Sequence, residues 1–180
     1  SVGKPLIDTE VQIVDLESGT KVLNSGELGE IRVKGPQIMS GYRNRPNETS
    51  EALRDSWLYT GDIGELDSSG NLYIRDRKKD MVIVSGYNVY PREIDEVFHL
   101  HQDVLDVASV GVSDSYRGEA ICAGVMLNKG SMTTVEDLTE FCSERLASYK
   151  VPSRIKILCK MPKTTVGKTD KAAVKLLFSD

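Results

Sequence analysis

The feature that most constrains the fold of this chain is a change of sequence pattern near residue 79. Before that point, short runs alternate polar and apolar residues, as half-buried strands do, at Glu10–Val14 and Gly29–Val33. A hairpin is predicted where Asp62–Leu66 and Asn71–Ile74 flank the turn Asp67–Gly70, because glycine tolerates the positive φ angle of such a turn. We therefore predict that residues 1–78 form a small β-rich subdomain.

After Lys79 the pattern becomes that of strands alternating with helices. Pro91 suits the first turn of a helix, where its missing N–H costs nothing. Thr133 and Glu136 have the spacing of a capping box, which predicts a second helix that ends by Pro152. Four further segments are predicted to be strands: Met81–Val84, Val104–Val112, Ala120–Leu127 and Arg154–Leu158. A short last helix is predicted at Asp170–Phe178. We predict an α+β fold class, with residues 79–180 forming a domain of one small sheet and about three helices.

Composition limits the class of protein. The chain is 39% hydrophobic and 28% charged, which is typical of a soluble globular protein. No apolar run reaches the roughly 18–20 residues needed to cross a bilayer, and Ser1–Pro5 lacks the features of a signal peptide. Because no Met precedes Ser1, we expect the chain to begin inside a longer protein.

Cys122, Cys142 and Cys159 are expected to be buried free thiols in the reducing cytoplasm, and no metal site is predicted.

The formal net charge of −4 hides a basic C-terminal region. Between Arg145 and Phe178 there are nine Lys or Arg residues and one acid, Asp170. This balance indicates either a solvated positive face or an anionic partner, such as a phosphate ligand or nucleic acid. Nucleic acid is the weaker option, because Tyr149 and Phe178 are the only aromatic residues there and bases need stacking surfaces.

Three polar side chains are candidates for ligand chemistry. The Asp62 carboxylate, at the start of a hairpin, either accepts two hydrogen bonds from a ribose diol or satisfies N–H groups of the turn. The Arg77 guanidinium either reaches a ribose or phosphate or pairs with a neighbouring acid. The Lys168 ammonium either stabilises charge that develops on a carboxylate and an α-phosphate, or is one more lysine of the basic region. Gly167-Lys168-Thr169 does not end a phosphate-binding loop, since that motif needs Gly where this sequence has Pro162.

Four short motifs, in this order and spacing, resemble the C-terminal motifs of the adenylate-forming superfamily, which includes acyl-CoA synthetases, peptide-synthetase adenylation domains and beetle luciferases. The motifs are Tyr59-Thr60-Gly61-Asp62, Asp76-Arg77-Lys78-Lys79-Asp80, Ser85-Gly86-Tyr87-Asn88-Val89-Tyr90-Pro91 and Pro162-Lys163-Thr164-Thr165-Val166-Gly167-Lys168. The resemblance implies that residues 1–78 are the C-terminal β-rich subdomain of a truncated large adenylation domain. It implies that residues 79–180 are the small, mobile AMP-binding-enzyme domain.

The same resemblance assigns roles to individual residues. It implies that Asp62 holds the ribose hydroxyls of ATP, that Arg77 contacts the nucleotide, and that Ile74 lies against it. It implies that Lys79 is the pivot between the two domains, a role that requires only a change in φ and ψ.

The last two motifs receive roles in the two halves of a reaction. Ser85, Gly86 and Tyr87 are implied to line the path for the pantetheine arm of coenzyme A, although Gly86 also fits a simple turn. Lys168 is implied to be the catalytic lysine of the adenylation half-reaction.

The resemblance therefore predicts the C-terminal fragment of an AMP-forming acid–thiol ligase, most like fatty-acyl or aryl CoA ligases. The predicted partners are a carboxylic acid of unspecified identity, ATP with Mg²⁺, coenzyme A and the protein's own N-terminal domain, with oligomerisation possible. Because the N-terminal domain carries most of the ATP and Mg²⁺ site, we expect this chain alone not to turn over ATP. The alternatives are an adenylation domain that loads a carrier protein and a noncatalytic nucleotide- or RNA-binding module.

Overall fold

The computed structural model describes residues 1–179 and divides the chain into two compact units, Ser1–Lys79 and Asp80–Asp180. Each unit contains a five-stranded sheet, and the described residues include four α-helices. Three of those helices lie in the second unit. The predicted α+β class, with a β-rich first part and a small sheet with three helices in the second, is confirmed.

The first unit is a mainly antiparallel sheet around one long strand. Its elements are β1 (Glu10–Val14), β2 (Gly29–Lys34), α1 (Pro46–Ala52), β3 (Leu53–Arg54), β4 (Trp57–Leu66) and β5 (Leu72–Arg77). β4 pairs with β2 along one edge, and with β3 and then β5 along the other. Val14, Ile31 and Ile63 are at most 2% exposed, so the apolar positions of the alternating strands form the core as predicted.

The second unit is a mixed sheet with helices on both faces. Its elements are β6 (Val82–Val84), β7 (Tyr87–Val89), α2 (Pro91–Phe98), β8 (Val104–Asp114), β9 (Gly118–Leu127), α3 (Val135–Ser143), β10 (Arg154–Ile157) and α4 (Lys171–Leu176). β10 lies parallel to β9, and the other pairings are antiparallel.

Side chains that alternate along β8 belong to two separate apolar clusters, which shows that both faces of this sheet are covered. Val107 packs in the cluster that contains Phe98 of α2 and Leu138 of α3. Ala108 packs in the cluster that contains Val174 of α4. Helices α2 and α3 therefore cover one side of the sheet and α4 covers the other.

Two details of the predicted helices are wrong. The capping box of α3 is formed by Thr134 with Asp137, because the Thr133 hydroxyl instead donates to Asp103 Oδ2 at 2.6 Å. α3 also ends at Ser143, well before Pro152. Helix α1 was not predicted, since none of its residues is buried and it therefore lacks an apolar stripe.

The three thiols are free, as predicted, but they are not all buried. Cys122 and Cys142 are buried, and burial raises the pKa of the Cys142 thiol to about 11. Cys159 is exposed, which corrects the prediction for that residue.

Within residues 1–179, no helix has both the length and the apolar character needed to cross a membrane.

Asp15 organises the loop after β1, and the stability of that loop should depend on pH. Its carboxylate accepts hydrogen bonds from Ser18 and from the Lys21 N–H, and these bonds lower the pKa of Asp15 to about 2. A lowered folded-state pKa contributes stability above the ordinary value of 3.8, and that contribution disappears as the pH falls through about 2. We expect Asp15→Asn to lower the melting temperature at pH 6, with the difference from wild type shrinking between pH 4 and pH 2. A difference that is constant with pH in thermal melts would contradict this role.

Candidate active site

Asp62 and Arg77 lie opposite each other on neighbouring strands of the first unit. They are register partners in the pairing of β4 with β5, and Asp62 Oδ1 lies 3.4 Å from Arg77 Nε. The Asp62 side chain is 27% exposed and that of Arg77 is 63% exposed. A solvent-exposed pair of this kind contributes at most about 1 kcal/mol to folding. The contact therefore leaves both charged groups accessible to a ligand at little cost.

A β-bulge decides which side chains share a face with this pair. Asp62 is opposite Arg77 while Gly64 is opposite Ile74, so β5 contains one extra residue between these positions. Ile74 and Arg77 are three residues apart and would point to opposite faces of an unbroken strand. The extra residue brings both to the face of Asp62, where Ile74 is 37% exposed. The structure thus brings together the three residues predicted to contact a nucleotide.

A cavity of about 350 Å³ lies beside this face. Its lining residues are Thr60, Gly61, Arg77, Lys78 and Lys79. The Thr60 hydroxyl donates to the Ile31 carbonyl at 2.9 Å and accepts from the Asp62 N–H at 3.1 Å, which fixes the backbone that carries Asp62. Of its three cationic side chains, Arg77 and Lys78 are paired with Asp62 and Glu30, and Lys79 adds an unpaired positive charge that suits an anionic ligand such as a phosphate.

Glu30 is a residue of this region that the sequence pattern did not indicate. Its side chain is 7% exposed and accepts a hydrogen bond from Lys78 Nζ at 2.7 Å. It lines a second cavity, of about 570 Å³, that shares Thr60 and Gly61 with the first. No local pattern could have identified it, because Lys78 lies 48 residues away in sequence.

The segment that ends the first unit is anchored on either side of Lys79. A short 3-10 helix covers Lys78–Asp80. Lys78 is held by Glu30 in the first unit, and Asp80 Oδ2 lies 3.6 Å from Lys171 Nζ in the second. Lys79 is exposed, and within residues 1–179 its ammonium forms no hydrogen bond or ion pair. The boundary between the two units follows this residue.

The predicted coenzyme A segment is a tight hairpin turn in the second unit. Val84 of β6 pairs with Tyr87 of β7, so Ser85 and Gly86 form a two-residue loop. Both have positive φ angles, +50° and +84°, as the favoured hairpin turn requires. A methyl group at Gly86 would meet nothing within 4 Å. The backbone conformation is therefore sufficient by itself to explain glycine at this position.

Lys168 lies in an exposed loop of the second unit. The loop is closed by hydrogen bonds from the Thr164 N–H to the Lys168 carbonyl at 2.7 Å and from the Lys168 N–H to Thr164 Oγ1 at 3.2 Å. Lys163 secures its base, since its ammonium lies 2.8 Å from Asp106 Oδ2. Within the described part of the chain, the Lys168 ammonium itself forms no hydrogen bond or ion pair. A well-defined backbone therefore presents a free cation.

Metal-ligating side chains do not cluster among the residues that the structure describes. Among residues 1–179, no group of three or more His, Cys, Asp or Glu side chains is arranged to hold a metal ion.

Comparison with known proteins identifies relatives for both units. Residues 93–168 match the family of AMP-binding enzyme C-terminal domains. The chain is 48% identical over 168 residues to a long-chain-fatty-acid–CoA ligase of Bacillus subtilis, which covers 93% of this chain and 30% of that protein. It is 40% identical over 178 residues to a 2-succinylbenzoate–CoA ligase of a Geobacillus species, covering 99% of this chain and 36% of the relative. The chain thus spans about a third of the length of these relatives.

Solved structures show the same likeness. The amide bond synthetase McbA from Marinactinospora thermotolerans superposes over 100% of this chain and 36% of its own, with a TM-score of 0.91 and 40% identity. MatB from Rhodopseudomonas palustris gives a TM-score of 0.93 with ATP bound, at 32% identity over 100% of this chain and 36% of its own. The apo structure of MatB gives 0.72, at 33% identity over 99% of this chain and 36% of its own.

Proposed function

We propose that this chain, which belongs to the adenylate-forming superfamily, supplies the ribose-binding edge, the hinge and the catalytic lysine of an AMP-forming carboxylic acid:CoA ligase. The observation that carries the proposal is the Asp62–Arg77 pair, exposed beside Ile74 and next to a cationic cavity. A carboxylate that accepts from a sugar diol and cations that face phosphates are the groups that a bound nucleotide requires.

The first reaction of such an enzyme joins the acid to AMP. A carboxylate oxygen attacks the α-phosphorus of ATP, the bond to the bridging oxygen breaks, and pyrophosphate leaves with that oxygen. Negative charge builds on the transferred phosphoryl group, and the Lys168 ammonium stabilises it. Because this ammonium is free of partners within residues 1–179, it does not have to break an existing ion pair to do so.

The second reaction transfers the acyl group to coenzyme A. The thiol sulfur attacks the acyl carbon, its proton is lost, and the bond between that carbon and the AMP oxygen breaks. The Ser85–Gly86 turn would line the path of the pantetheine arm. Lys168 and the Ser85–Gly86 turn serve different reactions at one nucleotide site. The second unit must therefore bring first Lys168 and then the Ser85–Gly86 turn to that site.

Lys79 is the proposed pivot for that exchange. Its neighbours Lys78 and Asp80 are each held by an ion pair, whereas its own side chain is exposed and unpaired in the described residues. A change in φ and ψ at Lys79 would therefore break none of these contacts.

The remaining partners follow from the relatives. The names of the bacterial ligases favour a long-chain fatty acid as the carboxylate, with an aryl acid as the alternative. The ATP-bound state of MatB supports ATP as the nucleotide. We propose that the protein's own N-terminal domain completes the acyl and adenine sites and holds any Mg²⁺ that accompanies ATP. Free thiols suit the cytoplasm as its location.

Substitution of Asp62 tests the ribose-binding role in the intact protein that carries this chain. Loss of a charge-assisted hydrogen bond typically costs about 1.5–3 kcal/mol, so we expect Asp62→Asn to raise the KM for ATP about 10- to 100-fold. The preference for ATP over 2′-deoxy-ATP should shrink at the same time, because the variant holds the diol poorly. Initial rates of ATP–pyrophosphate exchange provide both measurements.

Asp67→Asn is the matched control on the same hairpin. Asp67 accepts hydrogen bonds from the Ser69 and Asn71 N–H groups within the turn, so its loss should lower the melting temperature without changing the KM for ATP. An unchanged KM and an unchanged ribose preference in a folded Asp62→Asn variant would refute the assignment.

A further inference from the structure

The Thr164–Lys168 loop projects from the second unit with almost no apolar anchor. Residues 165–168 are all exposed, and Val166, the one large apolar residue of the loop, is 77% exposed. The hydrogen bonds inside the loop fix its shape but not its direction relative to the sheet. Because low local burial allows a segment to move, this loop needs polar contacts at its base to hold one orientation.

One side chain provides such contacts for both ends of the loop. Lys163 precedes the loop and Thr169 follows it, and the two residues face each other as an isolated antiparallel β-bridge. The Lys163 ammonium donates to Thr169 Oγ1 at 3.1 Å and to Asp106 Oδ2 of β8 at 2.8 Å. This ammonium therefore joins both ends of the loop to the sheet of the second unit.

Strand β8 orients the Asp106 carboxylate toward the base of the loop. The register of β8 against β9 shifts between Val104 and Asp106, and a β-bulge of this kind re-aims a side chain. Asp106 Oδ1 accepts from the Val107 N–H at 3.0 Å, which leaves Oδ2 for Lys163. The acceptor of the ammonium is thus fixed by its own strand.

The two lysines of the last motif differ in their surroundings. Lys163 is paired with Asp106, whereas the Lys168 ammonium forms no hydrogen bond or ion pair within residues 1–179. Because a carboxylate already balances the Lys163 charge, Lys163 is better suited to anchoring the loop than to stabilising charge on a substrate.

We propose that Asp106 and Lys163 are positioning residues for adenylation, and that they act by holding Lys168 where charge develops on the transferred phosphoryl group. This inference rests on the proposed ligase function and deepens it. Such a cation is effective when it is preorganised, since a misplacement of about 1 Å can cost about 10²-fold in rate. The pair is partly exposed and contributes little to folding, so its loss should leave the fold intact.

The test measures the two half-reactions in the intact protein that carries this chain. Asp106→Asn and Lys163→Met should each lower kcat for acyl-adenylate formation about 10- to 100-fold. The KM for ATP should not change, because Asp62 and Arg77 are retained. Thioester formation from supplied acyl-adenylate should stay at the wild-type rate, which also shows that the variants fold. Lys163→Arg keeps a cation opposite Asp106 and should retain most of the adenylation rate.

Double variants show whether the pair acts through Lys168. In a Lys168→Ala background, Asp106→Asn and Lys163→Met should cause no further loss of adenylation, because the ammonium that they position is already absent. Glu93→Gln is the matched control. It breaks an ion pair of similar length, 2.7 Å to Lys150, on helix α2 at the other face of the sheet. Both half-reactions should remain close to wild type in this control.

The outcomes separate this inference from the proposed function. If the wild type forms no acyl-adenylate, the proposed function fails and this inference fails with it. If Lys168→Ala lowers adenylation but the Asp106 and Lys163 variants do not, the ligase function stands and the positioning role is wrong. Equal losses in both half-reactions would reduce the pair to a structural contact. Further loss from Lys163→Met in the Lys168→Ala background would show that Lys163 acts on the substrate directly, and either result would overturn the inference.

Discussion

Replacing Lys168 with Ala in the intact protein should lower the rate of acyl-adenylate formation about 10²- to 10³-fold. The ammonium lies at the end of a closed loop, without an ion pair within residues 1–179, so its removal deletes charge without disturbing the fold. Thioester formation from supplied acyl-adenylate should survive, because the second reaction does not use this cation. Single-turnover measurements of each half-reaction give the two rates separately.

Lys160→Ala controls for the general positive charge of the C-terminal region. Lys160 is exposed and forms no hydrogen bond or ion pair in the described residues, yet it is outside the Thr164–Lys168 loop. Its replacement should leave both half-reactions close to wild type. Equal losses in both half-reactions of Lys168→Ala would show that this lysine supports the structure and is not specific to adenylation.

Most of the strands were predictable because their signals are local, whereas the short strands β3 and β7 were not predicted. The β4–β5 hairpin follows from alternating apolar residues around Asp67–Gly70, and the structure places the turn there. Local signals also located helices α2 and α3, through Pro91 at the first turn of α2 and a capping-box spacing at the start of α3. Helix α1 was missed because it buries nothing, and the capping box was misplaced by one residue because Thr133 and Thr134 are equally suitable in sequence.

The candidate site was predictable as a set of positions but not as an arrangement. The sequence indicates Asp62, Ile74 and Arg77, yet the bulge that places Ile74 on their common face has no sequence signal. The Asp106–Lys163 contact joins residues that are far apart along the chain, and only the fold brings them together. Pairings of this kind depend on tertiary packing, which overrides local preference.

The anchors on either side of Lys79 bear on its proposed role as the pivot. The Lys78–Glu30 contact belongs to the first unit and the Asp80–Lys171 contact to the second. Rotation at Lys79 leaves both ion pairs intact, because each lies within one unit. If Lys79 is the proposed pivot, its backbone freedom, and not its side chain, is the property that the exchange requires.

Lys79→Pro should therefore separate the two half-reactions. Proline fixes φ near −65° and restricts the preceding residue as well, so the variant is held in a narrow range of hinge conformations. A misplacement of about 1 Å costs about 10²-fold in rate, and we expect one half-reaction to fall by at least that factor while the other is retained. Lys79→Arg keeps both the charge beside the cavity and the backbone freedom, so it should resemble wild type in both reactions. Separate assays of adenylate formation and thioester formation decide the matter, and a folded Lys79→Pro variant with wild-type rates in both would show that the hinge lies elsewhere.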